Sequence, residues 1–185
     1  MIRPATVRDV PAIARLINHY AERGKMLFRS HAELYEAVRD FVVFEAEAAG
    51  GRQVVGTAAL EIIWADLCEL RSVAVDESRQ KQGIGRALVE GLVAEARRLE
   101  SARAFALTYE QTFFARLGFE VVDRAKLPLK VWSTCIKCPK RDGCDEIAMV
   151  RTLQGIAPVA EADPNAGAGQ RYEVPTPIVR LQVKK

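Results

Sequence analysis

Residues 80–86, Gln-Lys-Gln-Gly-Ile-Gly-Arg, have the composition of an anion-binding loop. They follow a hydrophobic run that ends at Val75, and an apolar pattern with helical spacing begins at Ile84. A glycine-bearing loop that leads into a helix directs several backbone N–H groups and the positive end of the helix dipole at one point, where phosphate binds. A lone Gly-x-Gly also occurs in tight strand-to-helix turns, so the surrounding sequence must distinguish an anion-binding loop from such a turn.

Other classes of phosphate-binding or polyanion-binding protein fit this sequence poorly. The loop lacks the Gly-Lys-Ser/Thr of a P-loop and the third glycine of a dinucleotide fingerprint. A net charge of +3 is too small to predict a nucleic-acid partner. The sequence has no amino-terminal apolar leader and no run of 18 apolar residues, so we expect a soluble cytoplasmic chain without a membrane partner.

The loop must be held by a strand before it and a helix after it, and the apolar spacing predicts both. The predicted helix has one apolar face, formed by Ile84, Leu88, Leu92, Ala96 and Leu99. Earlier, a helix should run from Thr6 or Asp9 to about Glu22, with Tyr20 among the residues on its apolar face. A capping box, Ser30-His31-Ala32-Glu33, predicts a second helix with Leu34, Tyr35 and Val38 facing inward.

Strands are predicted at residues 2–5, 41–48, 53–63, 67–75, 103–108, 119–122 and 146–152, and a short helix at 111–117. The resulting order, β-α-α-β-β-β-α-β-α-β-β, indicates an α/β fold with a central mixed sheet flanked by helices. We expect one domain over residues 1–154 and an Ala/Gly/Pro-rich linker over 155–171. Residues 172–185 should form an arm or an edge strand, because Pro175 and Pro177 exclude them from the middle of a sheet.

Five further stretches narrow the assignment: residues 24–30, 69–75, 105–109, 113–119 and 127–132. With the loop, which matches Gln/Arg-x-x-Gly-x-Gly/Ala, they resemble the GNAT superfamily of N-acetyltransferases, and more narrowly the short form of the bacterial N-acetylglutamate synthases. The resemblance covers residues 1 to about 152. It implies the GNAT-type acyl-CoA N-acyltransferase fold, acetyl-CoA as co-substrate and acetyl transfer to the α-amine of L-glutamate, the first step of arginine biosynthesis. Glutamine as acceptor, a silent acetyl-CoA-binding regulator and a homodimer stay open.

The same resemblance implies a cofactor site along the fourth strand and the glycine loop. The main chains of Val73 and Val75 would pair with the pantetheine arm where this strand splays from its neighbour, and the Val73 N–H would polarise the acetyl carbonyl. A backbone donor aimed at a developing oxyanion is worth about 3 kcal/mol. The residues expected to bind the pyrophosphate are Gln80, Lys81, Gln82, Gly83, Ile84, Gly85 and Arg86.

The reaction needs a base for the incoming ammonium group and a way to release the thiolate. Glu69 is the in-strand candidate for the base, since a half-buried carboxylate has a raised pKa; its alternative role is a structural partner of Arg71 or a lysine. Many superfamily members place a tyrosine acid where this sequence has Phe114, which cannot donate a proton. Tyr109 could serve instead, or the thiolate leaves without a protein acid.

Glutamate presents two carboxylates, each best met by a planar guanidinium. Arg29 and Arg71 are therefore the main acceptor-binding candidates, with Ser30, Ser72 and Lys130 beside them. A cationic acceptor such as a polyamine would instead need acidic residues at these positions. The alternative for each arginine is an ordinary surface ion pair.

Cys135, Cys138 and Cys144 have the spacing of three zinc ligands, without a local fourth. Cys68, His19 and His31 lie far away in the sequence. A reduced thiol-rich loop and a regulatory disulfide are the alternatives, and we expect no metal.

Overall fold

A computed structural model describes residues 1–48, 51–127 and 144–157. Its helices are α1 (Val10–Ala21), α2 (His31–Glu36), α3 (Ile84–Arg98) and α4 (Gln111–Ala115). Its strands are β1 (Ile2–Pro4), β2 (Phe41–Ala48), β3 (Gly51–Trp64), β4 (Leu67–Val75), β5 (Arg103–Thr108), β6 (Glu120–Val121) and β7 (Ile147–Thr152). Lys130, Cys135, Cys138, most of the expected linker and the carboxy-terminal arm lie outside the described residues.

The strands form one mixed sheet in the order β1-β2-β3-β4-β5-β7-β6. Only β4 and β5 pair in parallel, and α3 provides the crossover between them. The other neighbouring strands pair antiparallel. The predicted α/β fold, with a mixed sheet flanked by helices, is therefore confirmed.

Side-chain alternation along β3 builds a core on each face of the sheet. Ala58 and Leu60 pack in the cluster that contains the apolar face of α3, while Ala59 between them packs with α1. Successive side chains of a strand point to opposite faces, so α1 and α3 lie on opposite sides of the sheet. The α3 contact is close at Gly56, where a Cβ would stand 3.0 Å from the Ile84 side chain.

Strands β4 and β5 separate from each other toward their carboxyl ends. Their pairing covers only Leu67–Glu69 of β4, although β4 continues to Val75. A β-bulge lies in the same part of β4: Thr57 pairs with Ala74 and Ala59 with Arg71, so two residues of β4 oppose Ala58. The expected splay of the two strands is present, and beyond Glu69 it leaves one edge of β4 without a strand neighbour among the described residues.

Three local expectations were wrong. Tyr35 is 48% exposed because only Leu34 of α2 reaches the core, and α2 ends after six residues. Leu99 is 44% exposed because α3 ends at Arg98. Helix α4 ends at Ala115, two residues earlier than expected. Among the described residues, no helix is long and apolar enough to cross a membrane.

Candidate active site

A cleft of about 800 Å³ occupies the gap between the ends of β4 and β5. Its walls come from the α1–α2 connection, β4, the start of α3, the end of β5 and α4. This volume is typical of a small-molecule or cofactor site. Of the predicted site residues, the following line it: Arg29, Glu69, Arg71, Ser72, Val73, Val75, Gln80, Lys81, Gly83, Ile84, Gly85, Arg86 and Tyr109.

The glycine loop forms the cationic, amide-rich end of the cleft. Gly83 caps α3 with φ +80°, a left-handed conformation that a residue with a Cβ adopts at a cost. The first N–H groups of an α-helix have no partner within the helix, and here they belong to residues that line the cleft. Lys81 and Arg86 add positive charge. The 15-residue helix, its free amides and these cations fit a pyrophosphate. Gln82 does not line the cleft.

Two predicted cofactor contacts are already hydrogen-bonded to Tyr20, a residue expected only to pack in the core. The Gln80 side-chain amide donates to the Tyr20 hydroxyl at 2.7 Å, and this hydroxyl donates to the Val75 carbonyl. The Gln80 amide and the Val75 carbonyl therefore each have one partner within the protein. A buried tyrosine hydroxyl generally has a polar partner, so a tyrosine on the apolar face of α1 was the sequence feature that could have predicted this contact.

The bulge in β4 gives the middle of the cleft its irregular backbone. Ser72 has φ +55°, an uncommon conformation for a residue other than glycine. Strained backbone at a cleft is a recognised mark of function, and Ser72 and Val73 both line this one. The roles expected for the Val73 N–H and for Ser72 stay predictions.

Glu69 lies on the cleft wall between charges of both signs. Its pKa is raised to about 7, with burial as the largest cause; Arg71 and Arg29 lower the pKa, and the carboxylates of Glu61 and Glu146 raise it. A carboxyl group that titrates near neutrality can accept a proton at physiological pH.

Arg29 is half-buried in the cleft wall. Asn18 of α1 holds its backbone from both sides: the Arg29 N–H donates to Asn18 Oδ1 and the Asn18 amide donates to the Arg29 carbonyl, each at 2.9 Å. Burial and the positive charge of Arg71 lower the pKa of its guanidinium. No carboxylate within the described ranges forms an ion pair with it, so this cation is available to an anionic ligand.

Arg71 differs from Arg29 because its guanidinium is already paired. It forms an ion pair with Glu61 on β3 and approaches Asp40 at 3.9 Å. Ser30 does not line the cleft; its hydroxyl caps α2, exchanging hydrogen bonds with Glu33. The sequence pattern missed Glu61 and Asp40 because their contact with Arg71 depends on strand register.

Phe114 belongs to both the apolar core and the cleft wall. It is 4% exposed and packs edge-to-face against Phe113 and Phe119, and it also lines the cleft, at the position that holds a tyrosine acid in many superfamily members. Tyr109 follows β5 on the cleft wall, and its role as an acid stays a prediction.

The cysteines that the structure describes do not meet. Cys68 is fully buried, and burial raises the pKa of its thiol to about 11. Cys144 lines the cleft and has a free thiol. No group of three metal-ligating side chains occurs among the described residues, and the character of the cysteine loop stays a prediction.

Comparisons with known proteins agree with this geometry. The model of the acetyltransferase (GNAT) domain matches residues 37–121. An uncharacterised N-acetyltransferase of Chlorobaculum tepidum is 41% identical over 152 residues, which is 82% of this chain and 96% of that protein. A Mycobacterium tuberculosis protein named amino-acid acetyltransferase is 43% identical over 133 residues, covering 71% of this chain and 75% of that one.

Among solved structures, the N-acetylglutamate synthase of Neisseria gonorrhoeae, complexed with coenzyme A and N-acetyl-glutamate, superposes with a TM-score of 0.73 at 30% identity. The match covers 83% of this chain and 35% of that one. The fold, the glycine loop before α3 and these relatives lead to one conclusion: the chain belongs to the GNAT family of N-acetyltransferases.

Proposed function

We propose that this chain transfers the acetyl group of acetyl-CoA to the α-amine of L-glutamate. The observation that carries the proposal is Arg29, a half-buried guanidinium in the cleft without a carboxylate partner in the described parts of the chain. A buried charge is costly unless it is paired, so such a group favours an anionic ligand. The N-acetyl-glutamate bound by the gonococcal relative supports the same substrate class.

Acetyl-CoA supplies the activated acetyl group, with its pyrophosphate at the head of α3 and its arm along the open edge of β4. Arg29 binds a carboxylate of the acceptor. Glu69, whose pKa is about 7, takes the proton from the acceptor ammonium group, directly or through a water molecule. The freed amine attacks the thioester carbonyl, to which the splayed edge of β4 offers its main chain. The C–S bond then breaks, and coenzyme A leaves as a thiolate that Tyr109 or solvent protonates.

One observation favours glutamine as a second candidate acceptor. The pairing of Arg71 with Glu61 and Asp40 leaves Arg29 as the stronger attraction for a carboxylate. An acceptor with one carboxylate and a neutral side chain would need no second free cation. Glutamine meets that description, whereas a polyamine does not.

The test is Arg29→Lys, which keeps the charge and loses the bidentate fork. We expect the KM for glutamate to rise tenfold or more, because hydrogen bonds between charged groups are worth about 1.5–3 kcal/mol. The KM for acetyl-CoA should stay within twofold, since the glycine loop is untouched. Arg39→Lys, on an exposed residue outside the cleft, is the matched control. An unchanged glutamate KM in the Arg29 variant would overturn the acceptor assignment.

A further inference from the structure

A relay of two hydrogen bonds joins α1 to the last residue of β4 and to Gln80, the first residue of the glycine loop. Gln80 Nε2 lies 2.7 Å from the Tyr20 hydroxyl, and the hydroxyl lies 2.5 Å from the Val75 carbonyl. A carbonyl oxygen only accepts, so the Tyr20 hydrogen points at Val75 and the hydroxyl oxygen accepts from Gln80. The direction of both bonds is therefore fixed.

The relay meets the open edge of β4 at its last residue, Val75. The Asp76 N–H donates to the Val55 carbonyl of β3 at 2.8 Å. In a trans peptide the preceding carbonyl points the opposite way, so the Val75 carbonyl faces away from β3. The Tyr20 hydroxyl thus satisfies a strand carbonyl that has no β5 partner, and at the same time it holds the first residue of the glycine loop.

Other side chains of α1 also reach this segment, but they are more exposed. Arg15 lies 3.5 Å from Asp76, and His19 lies 3.1 Å from Glu77. Exposed ion pairs contribute little to stability. The Tyr20 ring, by contrast, is 9% exposed and packs beside Leu16 and Ala74. Tyr20 therefore makes the better-shielded of these contacts.

We propose that Tyr20 is a positioning residue for acetyl-CoA, fixing the glycine loop relative to the end of β4. The proposal rests on the acetyl-CoA site proposed above. The pyrophosphate would bind the loop and the pantetheine arm would follow β4, so one ligand spans the two segments that Tyr20 joins. A loop held in place before binding spares the cofactor the entropy of ordering it.

The first test is Tyr20→Phe, which keeps the packed ring and removes only the hydroxyl. We expect the Kd of acetyl-CoA, measured by calorimetry, to rise about fivefold, which corresponds to about 1 kcal/mol. The acceptor KM should stay within twofold. Tyr35→Phe, at an exposed position outside the cleft, is the control and should change neither value. A purely structural role would lower the Tm and leave the Kd unchanged, which would overturn the proposal.

Gln80→Ala, at an exposed position, decides the question if the Tyr20 variant fails to fold, since breaking the relay from its other end should also raise the Kd. The double variant should bind no more weakly than Tyr20→Phe alone, because the loss of the hydroxyl already removes the hydrogen bond that Gln80→Ala removes. Effects that multiply would contradict the relay. If Gly83→Val loses acetyl-CoA binding while Tyr20→Phe and Gln80→Ala keep it, the loop binds the cofactor but the relay does not position it. If all three variants keep acetyl-CoA binding, the loop is not the cofactor site.

Discussion

At the scale of single residues, the proposed reaction depends on charges that the cleft leaves incompletely compensated. Glu69 and Arg29 are alike in this respect. Burial is the largest cause of both pKa shifts, upward for the carboxyl and downward for the guanidinium, because in each case it penalises the charged form. In the proposed reaction, the amino-acid acceptor gives a proton to Glu69 and places a carboxylate against Arg29.

Glu69 gives the reaction a predicted pH dependence. Its pKa is about 7, so the side chain becomes protonated as the pH falls through 7 and can no longer accept a proton. We expect kcat/KM for the acceptor to decline below pH 7. Glu69→Gln should lower kcat about a hundredfold at pH 8, the usual scale for a positioned base, and remove the titration near 7. Glu36→Gln, at an exposed position on α2, is the control. A Glu69→Gln profile that still titrates near 7 at an undiminished rate would assign the base elsewhere.

At the scale of elements, α3 contributes its amino terminus, and the backbone of Gly83 determines how the loop meets it. No atom outside the neighbouring residues lies within 4 Å of a Cβ built at Gly83, so an added Cβ meets no steric block. The constraint is the left-handed φ of +80°, which is costly for a β-branched residue.

Gly83→Val should therefore distort the loop and raise the Kd of acetyl-CoA at least tenfold, or about 1.4 kcal/mol. Calorimetry on the folded variant measures this directly. Gly155→Val is a matched control, because Gly155 has φ +85°, also has open space around its Cβ position and lies outside the cleft. Tight binding by a folded Gly83 variant would show that the loop does not hold the pyrophosphate.

At the scale of the whole molecule, the sequence predicted the elements better than the contacts between them. The bounds of β2, β4 and β5 agree with the expected ones because apolar runs and turn residues mark them locally. The pairing of Arg71 with Glu61 depends on the register of β3 and β4 and on a bulge between them, and no local pattern encodes either. The Tyr20 relay likewise joins residues 55 and 60 positions apart.

The central claim, acetylation of an acidic amino acid at its α-amine, is tested most directly by thiol release from acetyl-CoA. DTNB reports the released thiol while L-glutamate, L-glutamine and spermidine are offered in parallel, and mass spectrometry identifies the product. We predict glutamate-dependent release, N-acetylglutamate as the product and no release with spermidine. Turnover of spermidine alone, or a higher kcat/KM for glutamine than for glutamate, would contradict the claim.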